Sequence, residues 1–146
     1  LLAALLDGQL RVGFQPDPDG LEVLRALRAG ERTRDVPVLL VSACGDPETM
    51  AEAARMIADQ GARIIDINMG CPAKKVVNGY SGSALLREPD HALSLIEAVV
   101  GAVSVPVTLK TRLGWDAACL NAAHVARRAE EAGVAMVFTG QRSFRH

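Results

Sequence analysis

Apolar residues along this chain fall into two kinds of segment, short continuous runs and longer stretches with helical spacing. The short runs are rich in β-branched residues and predict strands at 36–41, 63–67, 105–109 and 134–138. The longer stretches predict helices at 21–28, 49–60, 90–100 and 117–132. Short, continuously apolar strands are typical of a parallel sheet that is buried on both faces.

The alternation of strands and helices predicts the α/β class, with parallel strands joined by right-handed helical connections. Local signals support the helix at 49–60, because Asp46 suits an N-cap and Pro47 suits the first helical turn. Two architectures accept this order of elements, a doubly wound sheet and a βα barrel. Periodicity alone does not choose between them.

Composition narrows the kinds of partner that the chain can have. Of the 146 residues, 49% are hydrophobic and only 3% aromatic, which suits helices packed on a buried sheet better than an all-β sandwich. Sixteen basic and seventeen acidic side chains give a net charge of −1. No chain-wide field therefore attracts nucleic acid or a membrane, and any contact with RNA must be local.

The cysteines and the apolar start bear on the cellular compartment. Cys44, Cys71 and Cys119 are odd in number and widely spaced, which fits neither a disulfide framework nor a zinc site and favours a reducing environment. Residues 1–6 are too short for a membrane span and lack the basic residues of a secretion signal. We therefore expect a cytoplasmic protein with no membrane partner and no metal.

The loop after the strand at 63–67 contains candidate chemistry. It begins Asn-Met-Gly-Cys-Pro at 68–72 and places Lys74 and Lys75 close to Cys71. In parallel α/β folds, the loops that follow the strands carry the functional side chains. The next helix is predicted only near residue 90, so this loop is much longer than the usual two to six residues of such a connection. Its length and content together predict a functional site.

Two segments together resemble the tRNA-dihydrouridine synthases of the bacterial type. One is Asp-Ile-Asn-Met-Gly-Cys-Pro at 66–72, and the other is Leu-Lys-Thr-Arg-Leu-Gly at 109–114. Matching segments at 46–54 and 78–86 extend the resemblance over about 44–137. The resemblance implies an FMN-dependent (βα)8 barrel of the TIM type, here incomplete, which reduces a tRNA uridine to 5,6-dihydrouridine with electrons from NADPH or NADH.

The same resemblance implies roles for two residues. Cys71 falls on the family's general acid, which protonates C5 of the uracil, a task that a thiol can perform near neutral pH. Lys110 falls on the family's flavin-binding lysine, whose ammonium group stabilises negative charge on the reduced ring. Without the resemblance, the alternative interpretations are a buried structural cysteine for Cys71 and a solvated loop residue for Lys110.

Four further residues have implied contacts with the nucleic acid. Asn68 and Arg112 fall on positions that meet the flipped uridine, and an amide and a guanidinium suit the reading of a uracil edge. Lys74 and Lys75 are suited to RNA phosphates, although a solvated pair of charges explains them as well. The implied partner is tRNA.

The chain departs from the family pattern at several points. Val41 stands near the place of a family glutamine, and Thr139 stands in the place of a family histidine, so two side-chain contacts with the flavin are lost. The family's first strand and its glycine-rich phosphate-binding loops are not found, and a complete barrel needs roughly 250 residues. We therefore expect the isolated chain to bind FMN weakly or not at all and to self-associate through unpaired strand edges.

The start of the chain has a different character. We interpret residues 1–36 as an N-terminal segment of uncertain origin and residues 37–146 as a partial βα-barrel catalytic domain. Residues 16–43 weakly resemble a response-regulator receiver domain, although Val12 stands where its phosphate-accepting aspartate is expected. An ordinary amphipathic helix followed by a strand explains this segment equally well. The rival interpretation of the chain is a non-enzymatic remnant or a receiver-like module without a ligand.

Overall fold

A computed structural model describes residues 2–5, 20–33, 39–42, 46–71 and 81–140. These ranges contain, in chain order, β1 (Leu2–Leu5), α1 (Gly20–Ala29), β2 (Leu39–Ser42), α2 (Pro47–Asp59), β3 (Ile65–Asn68), a 3₁₀ helix (Gly82–Arg87), α3 (Pro89–Ala102), β4 (Val107–Thr111), α4 (Ala122–Glu131) and β5 (Met136–Thr139). Of the helices that the structure describes, none is long and apolar enough to cross a membrane.

The four predicted helices and the four predicted strands are confirmed, and β3, β4 and β5 each start two residues later than predicted. Pro106 has no N–H group to pair, which delays the start of β4, and Gly133 turns the chain with a φ of 102° before β5. Helix α4 begins at Ala122 rather than at 117, because Asp116 holds a tight turn there. The first part of the strand predicted at 36–41 lies outside the described residues.

The sheet has the order β2-β1-β3-β4-β5. Strands β3, β4 and β5 are parallel neighbours, as predicted, and the α/β fold with parallel βα units is confirmed. Strand β1, which was not predicted, pairs antiparallel with both β2 and β3 and separates them. The first two predicted strands are therefore not direct neighbours, although β2 and β3 still run in the same direction.

Helices cover one face of this sheet and form the core. Ile65 and Ile67 of β3 and Val107 and Leu109 of β4 are each at most 3% exposed. They share one apolar cluster with residues of the three helices that follow β2, namely Met50, Ile57, Leu93, Ile96, Val99 and Val125. Each fully buried aliphatic side chain contributes about 1.5–3 kcal/mol through removal from water. This layer fixes the positions of β3 and β4, and with them the loops that follow.

The start of α2 shows the capping that the sequence predicts. The backbone N–H of Thr49 donates to Oδ1 of Asp46 over 2.8 Å. That hydrogen bond favours the carboxylate and holds the pKa of Asp46 below its ordinary value. Pro47 occupies the first turn, where its missing N–H is not needed. The cap sets where α2 begins.

The other face of the sheet is open among the described residues. Burial alternates along β3 and β4, so every second residue points away from the helices. Register pairs Thr108 with Met136 and Lys110 with Phe138, which continues the alternation onto β5. We call this surface the open face, and it consists of Asp66, Asn68, Thr108, Lys110, Met136 and Phe138. It combines hydrogen-bonding groups with two large apolar side chains of β5, Met136 and Phe138, which are 54% and 49% exposed.

Candidate functional site

The carboxyl ends of β3 and β4 bring two predicted site residues together. Asn68 is the register partner of Lys110, and Asp66 is the register partner of Thr108 one step below. Paired residues on neighbouring strands lie about 4.8 Å apart along the hydrogen-bonding direction. The Met69 N–H donates to the Lys110 carbonyl over 2.7 Å, which extends the ladder past the end of β3. The amide and the ammonium group thus stand side by side on the open face.

The side chain of Asn68 shapes the turn that follows β3. Its Oδ1 accepts a hydrogen bond of 2.9 Å from the backbone N–H of Gly70. Because an N–H group must meet an oxygen, this contact fixes the orientation of the amide and directs Nδ2 to the other side. In the part of the chain that the structure describes, no group accepts a hydrogen bond from that Nδ2. Asn68 therefore offers donors to a ligand at the open face.

Cys71 begins the long loop and is held through its backbone. Its carbonyl accepts a hydrogen bond of 3.0 Å from the N–H of Ser83, in the first turn of the 3₁₀ helix. Its thiol is free and half-buried. A thiol in this state is accessible to a reacting group and yet anchored to a buried element.

Arg112 follows β4 directly and is only 8% exposed. A methyl group at Gly70 would lie 3.6 Å from Cγ of Arg112 and 3.5 Å from Oδ1 of Asn68. The stem of the arginine therefore runs past the turn after β3, next to the Asn68 amide. Lys74 and Lys75 lie outside the described residues.

Two side chains on the open face were not singled out from the sequence. The Thr108 hydroxyl donates to Oδ1 of Asp66 over 2.6 Å, one layer below Asn68 and Lys110. The two-residue period of a strand was the available signal, because Asp66 and Asn68 must share a face, as must Thr108 and Lys110. This hydrogen bond fixes the carboxylate beneath the candidate site.

Taken together, the edge presents a thiol, an amide, an ammonium group and a guanidinium group, carried by Cys71, Asn68, Lys110 and Arg112. These groups suit a flat ligand rich in carbonyl oxygens, with a proton donor at its border. Within the described ranges, no cluster of three histidine, cysteine, aspartate or glutamate side chains could hold a metal ion. The chemistry available is hydrogen bonding, charge stabilisation and proton transfer.

The loop between β4 and α4 is folded tightly against itself. Oδ1 of Asp116 accepts hydrogen bonds of 2.9 Å from the N–H groups of Ala118 and Cys119. The guanidinium of Arg87 lies 5.3 Å from the ring centroid of Trp115, a cation–π contact between this loop and the end of the 3₁₀ helix. The loop that begins with Arg112 is therefore an ordered part of the site.

Gly114 makes the tight fold of that loop possible. A Cβ atom there would lie 2.7 Å from Cα of Leu120 and would also collide with the Cys119 carbonyl. We expect Gly114→Ala to lower the free energy of unfolding by about 1–3 kcal/mol, because backbone atoms must shift. Urea unfolding followed by circular dichroism measures this change.

The matched control is Gly101→Ala, the same substitution in α3, where a Cβ would meet no atom within 4 Å. It is expected to raise the free energy of unfolding by up to about 1 kcal/mol, since alanine favours a helix over glycine. Equal effects of the two substitutions would contradict the close backbone packing at Gly114.

Sequence comparisons identify relatives of this chain. The sequence model of the dihydrouridine synthase family matches residues 22–143. A probable tRNA-dihydrouridine synthase of Rhodobacter capsulatus is 61% identical over 114 residues, which are 78% of this chain and 35% of that protein. A probable tRNA-dihydrouridine synthase of Rhizobium leguminosarum is 69% identical over 88 residues, 60% of this chain and 28% of that protein.

A tRNA-dihydrouridine synthase B of Vibrio vulnificus is 56% identical over 89 residues, 61% of this chain and 28% of that protein. The chain thus spans about a third of the length of these relatives. The family match begins at residue 22 and so includes part of the N-terminal segment 1–36. The boundary at 36/37 stays a prediction.

The fold agrees with these matches. The family's fold is the TIM barrel, and three adjacent parallel strands with helices on one face are a part of such a barrel. The predicted family resemblance and the predicted incomplete barrel are both confirmed. The chain belongs to the dihydrouridine synthase family.

Proposed function

We propose that this chain is part of the catalytic barrel of an enzyme that reduces uridine in tRNA to 5,6-dihydrouridine. One observation carries the proposal: Asn68 and Lys110 are register partners at the carboxyl ends of β3 and β4, and Cys71 begins the loop directly after them. In TIM barrels the active site lies at this end of the strands. The named relatives support the same reaction, since each is described as a tRNA-dihydrouridine synthase.

FMN is the proposed cofactor, with NADPH or NADH as the electron donor. When bound and reduced, it would supply the two electrons that the C5–C6 bond of uracil accepts. The donor set fits, because an exposed ammonium group and a free amide N–H stand together on the open face. Lys110 would stabilise negative charge on the ring. Thr139, exposed at the end of β5, and Val41, in β2, offer no replacement for the family's histidine and glutamine.

The proposed substrate contacts involve side chains at the same carboxyl ends of β3 and β4. Nδ2 of Asn68 donates and the Arg112 guanidinium donates, which suits the O4 and O2 acceptors of a uracil that has been flipped out of its stack. Lys74 and Lys75 would meet RNA phosphates. Arg112 is nearly buried, so its direction is set by packing before a base arrives.

Cys71 is the proposed general acid. A proton moves from its Sγ to C5 of the uracil as C6 is reduced, and solvent then restores the proton to the thiolate. The half-buried thiol and the anchored carbonyl of this residue suit a group that must meet a base edge in one geometry. The proposed reaction implies a cytoplasmic location, where tRNA is present.

A chimera tests the proposed function. In the Rhodobacter capsulatus relative, the matching 114-residue segment is replaced by that of this chain. The chimera is expressed in bacteria that lack dihydrouridine synthases, and dihydrouridine in their tRNA is measured by mass spectrometry. We expect dihydrouridine to reappear. A folded chimera without activity, alongside an active unmodified relative, would favour the rival interpretation of a ligand-free module.

The open face also supports a proposal about self-association. Phe138 is 49% exposed and stands beside Met136, so two copies of the chain can bury this apolar surface against each other.

We expect Phe138→Ser to raise the dissociation constant of the dimer about tenfold, because two copies of a half-exposed aromatic side chain leave the interface. Sedimentation velocity across micromolar concentrations measures the constant. The matched control is Leu120→Ser, since Leu120 is 62% exposed but lies on the loop after β4. Equal effects would contradict association through the open face.

A further inference from the structure

The 3₁₀ helix Gly82–Arg87 connects the two loops of the candidate site. At its start, the N–H of Ser83 donates to the Cys71 carbonyl over 3.0 Å. Near its end, the Leu86 carbonyl accepts a hydrogen bond of 2.6 Å from Nδ2 of Asn121, which belongs to the connection between β4 and α4. The Cys119 thiol also approaches the Leu86 carbonyl, at 3.8 Å. We call this helix the bracket.

The bracket can hold the two loops in a fixed position relative to each other. Its residues from Gly82 to Leu86 are all buried, so it cannot shift without disturbing the core. Its last residue, Arg87, lies over the ring of Trp115 in the loop after β4. The backbone of Cys71 is therefore tied to the loop that carries Arg112 through one short, packed element.

Asn121 makes a contact that its position in the chain does not require. It is the N-cap residue of α4, where asparagine is among the preferred residues because its side chain can accept from the first helical amides. It makes no such capping bond. Asp46, the N-cap residue of α2, does cap its own helix. The Asn121 side chain instead reaches a carbonyl 35 residues away in sequence.

The same side chain has one buried polar atom without a hydrogen bond, which lowers stability. Its Oδ1 is buried and, among the described residues, accepts no hydrogen bond. An unsatisfied buried acceptor is unfavourable, so what the residue contributes is the Nδ2 donor and its contact with Leu86. A residue that served only to begin α4 would not show this pattern.

We propose that Asn121 is a positioning residue for Cys71, acting through the bracket. The Asn121 side chain fixes the Leu86 carbonyl and so holds the bracket against the loop after β4. The Ser83 N–H at the other end of the bracket then holds the Cys71 backbone in one position relative to Arg112. The inference rests on the proposed role of Cys71 for its functional meaning. The linkage itself is measurable without cofactor or tRNA.

The test uses the full chain with Asn121→Asp. Aspartate has the same shape and the same preference for an N-cap, but at neutral pH it places a carboxylate oxygen against the Leu86 carbonyl. The control is Ile57→Val, a substitution in the core of α2 outside the bracket, which lowers stability without touching either hydrogen bond.

Two readouts follow the linkage. Hydrogen exchange of the Ser83 amide is expected to become about tenfold faster in Asn121→Asp than in the wild type, beyond any change in the global unfolding equilibrium. The reason is that the hydrogen bond to the Cys71 carbonyl opens more often. The rate of Cys71 alkylation by iodoacetamide, resolved by peptide mass, is expected to change about threefold or more with it. Ile57→Val should alter neither beyond its effect on global unfolding.

Asn121→Ser provides a second variant if the aspartate chain does not fold, because serine is a good N-cap residue whose hydroxyl is too short to reach Leu86. Wild-type exchange and wild-type alkylation in either folded variant would overturn the proposal. So would changes equal to those of the control. Dihydrouridine formation that survives Cys71→Ala would instead refute the proposed general-acid role of Cys71 and leave the bracket unaffected.

Discussion

Replacing Cys71 by alanine in the active chimera is expected to lower dihydrouridine formation by about 10²–10⁴-fold, the usual contribution of a positioned general acid. The proton for C5 of the uracil would then have to come from water. The change removes only a half-buried thiol, so the hydrogen bond between the Cys71 carbonyl and the Ser83 N–H remains. Turnover is measured as dihydrouridine formed per enzyme with NADPH in excess.

In the proposed mechanism the thiol takes part only in the step on the RNA. The rate at which NADPH bleaches the flavin absorbance, measured without tRNA, is therefore expected to stay within about twofold of the unmodified chimera. Ser94→Ala is the matched control, because it also removes a half-buried polar atom but lies on α3, away from the site. Equal loss in both half-reactions would identify Cys71 as a structural residue.

The sequence predicted the part of the site that depends on strand order. Asn68 is the last residue of β3 and Lys110 the last but one of β4, and the two strands follow one another along the chain. Consecutive parallel strands are usually neighbours, so their final residues meet at one edge. The burial alternation of β3 and β4 then decides which side chains share the open face, and the expectation of strands buried on both faces did not include it.

Strand β1 could not be predicted from local signals. Residues 1–6 consist of leucine and alanine, which favour helices and lack the β-branched character of the other strands. The extended conformation of Leu2–Leu5 depends on pairing with β2 and β3 on either side. Tertiary pairing has overridden the local preference.

The contacts of the bracket also could not be predicted, for a different reason. The hydrogen bond between Asn121 and Leu86 joins residues 35 positions apart, and its acceptor is a backbone carbonyl that every residue possesses. An asparagine at the start of a helix typically caps it with its side chain, and Asn121 makes no such bond. Only the packing of the loop after β4 on the 3₁₀ helix determines the actual partner.

Replacing Lys110 by methionine is expected to have the converse effect to the loss of Cys71. Methionine keeps the length of the side chain and removes its charge, and the Lys110 carbonyl still accepts from Met69. The rate of flavin bleaching by NADPH should fall about 10–100-fold, because the ammonium group no longer stabilises negative charge on the ring. Since Lys110 is exposed, the free energy of unfolding should change by less than about 0.5 kcal/mol.

Arg127→Gln controls for net charge, because Arg127 is an exposed cation on α4, away from the open face. It is expected to leave both half-reactions unchanged, whereas Lys110→Met slows the reaction with NADPH and Cys71→Ala slows only the reaction with tRNA. This crossed pattern depends on the two residues acting at different atoms of one site. If Lys110→Met and Arg127→Gln slowed flavin bleaching equally, the effect would be one of overall charge, and the assignment of Lys110 to the cofactor would be wrong.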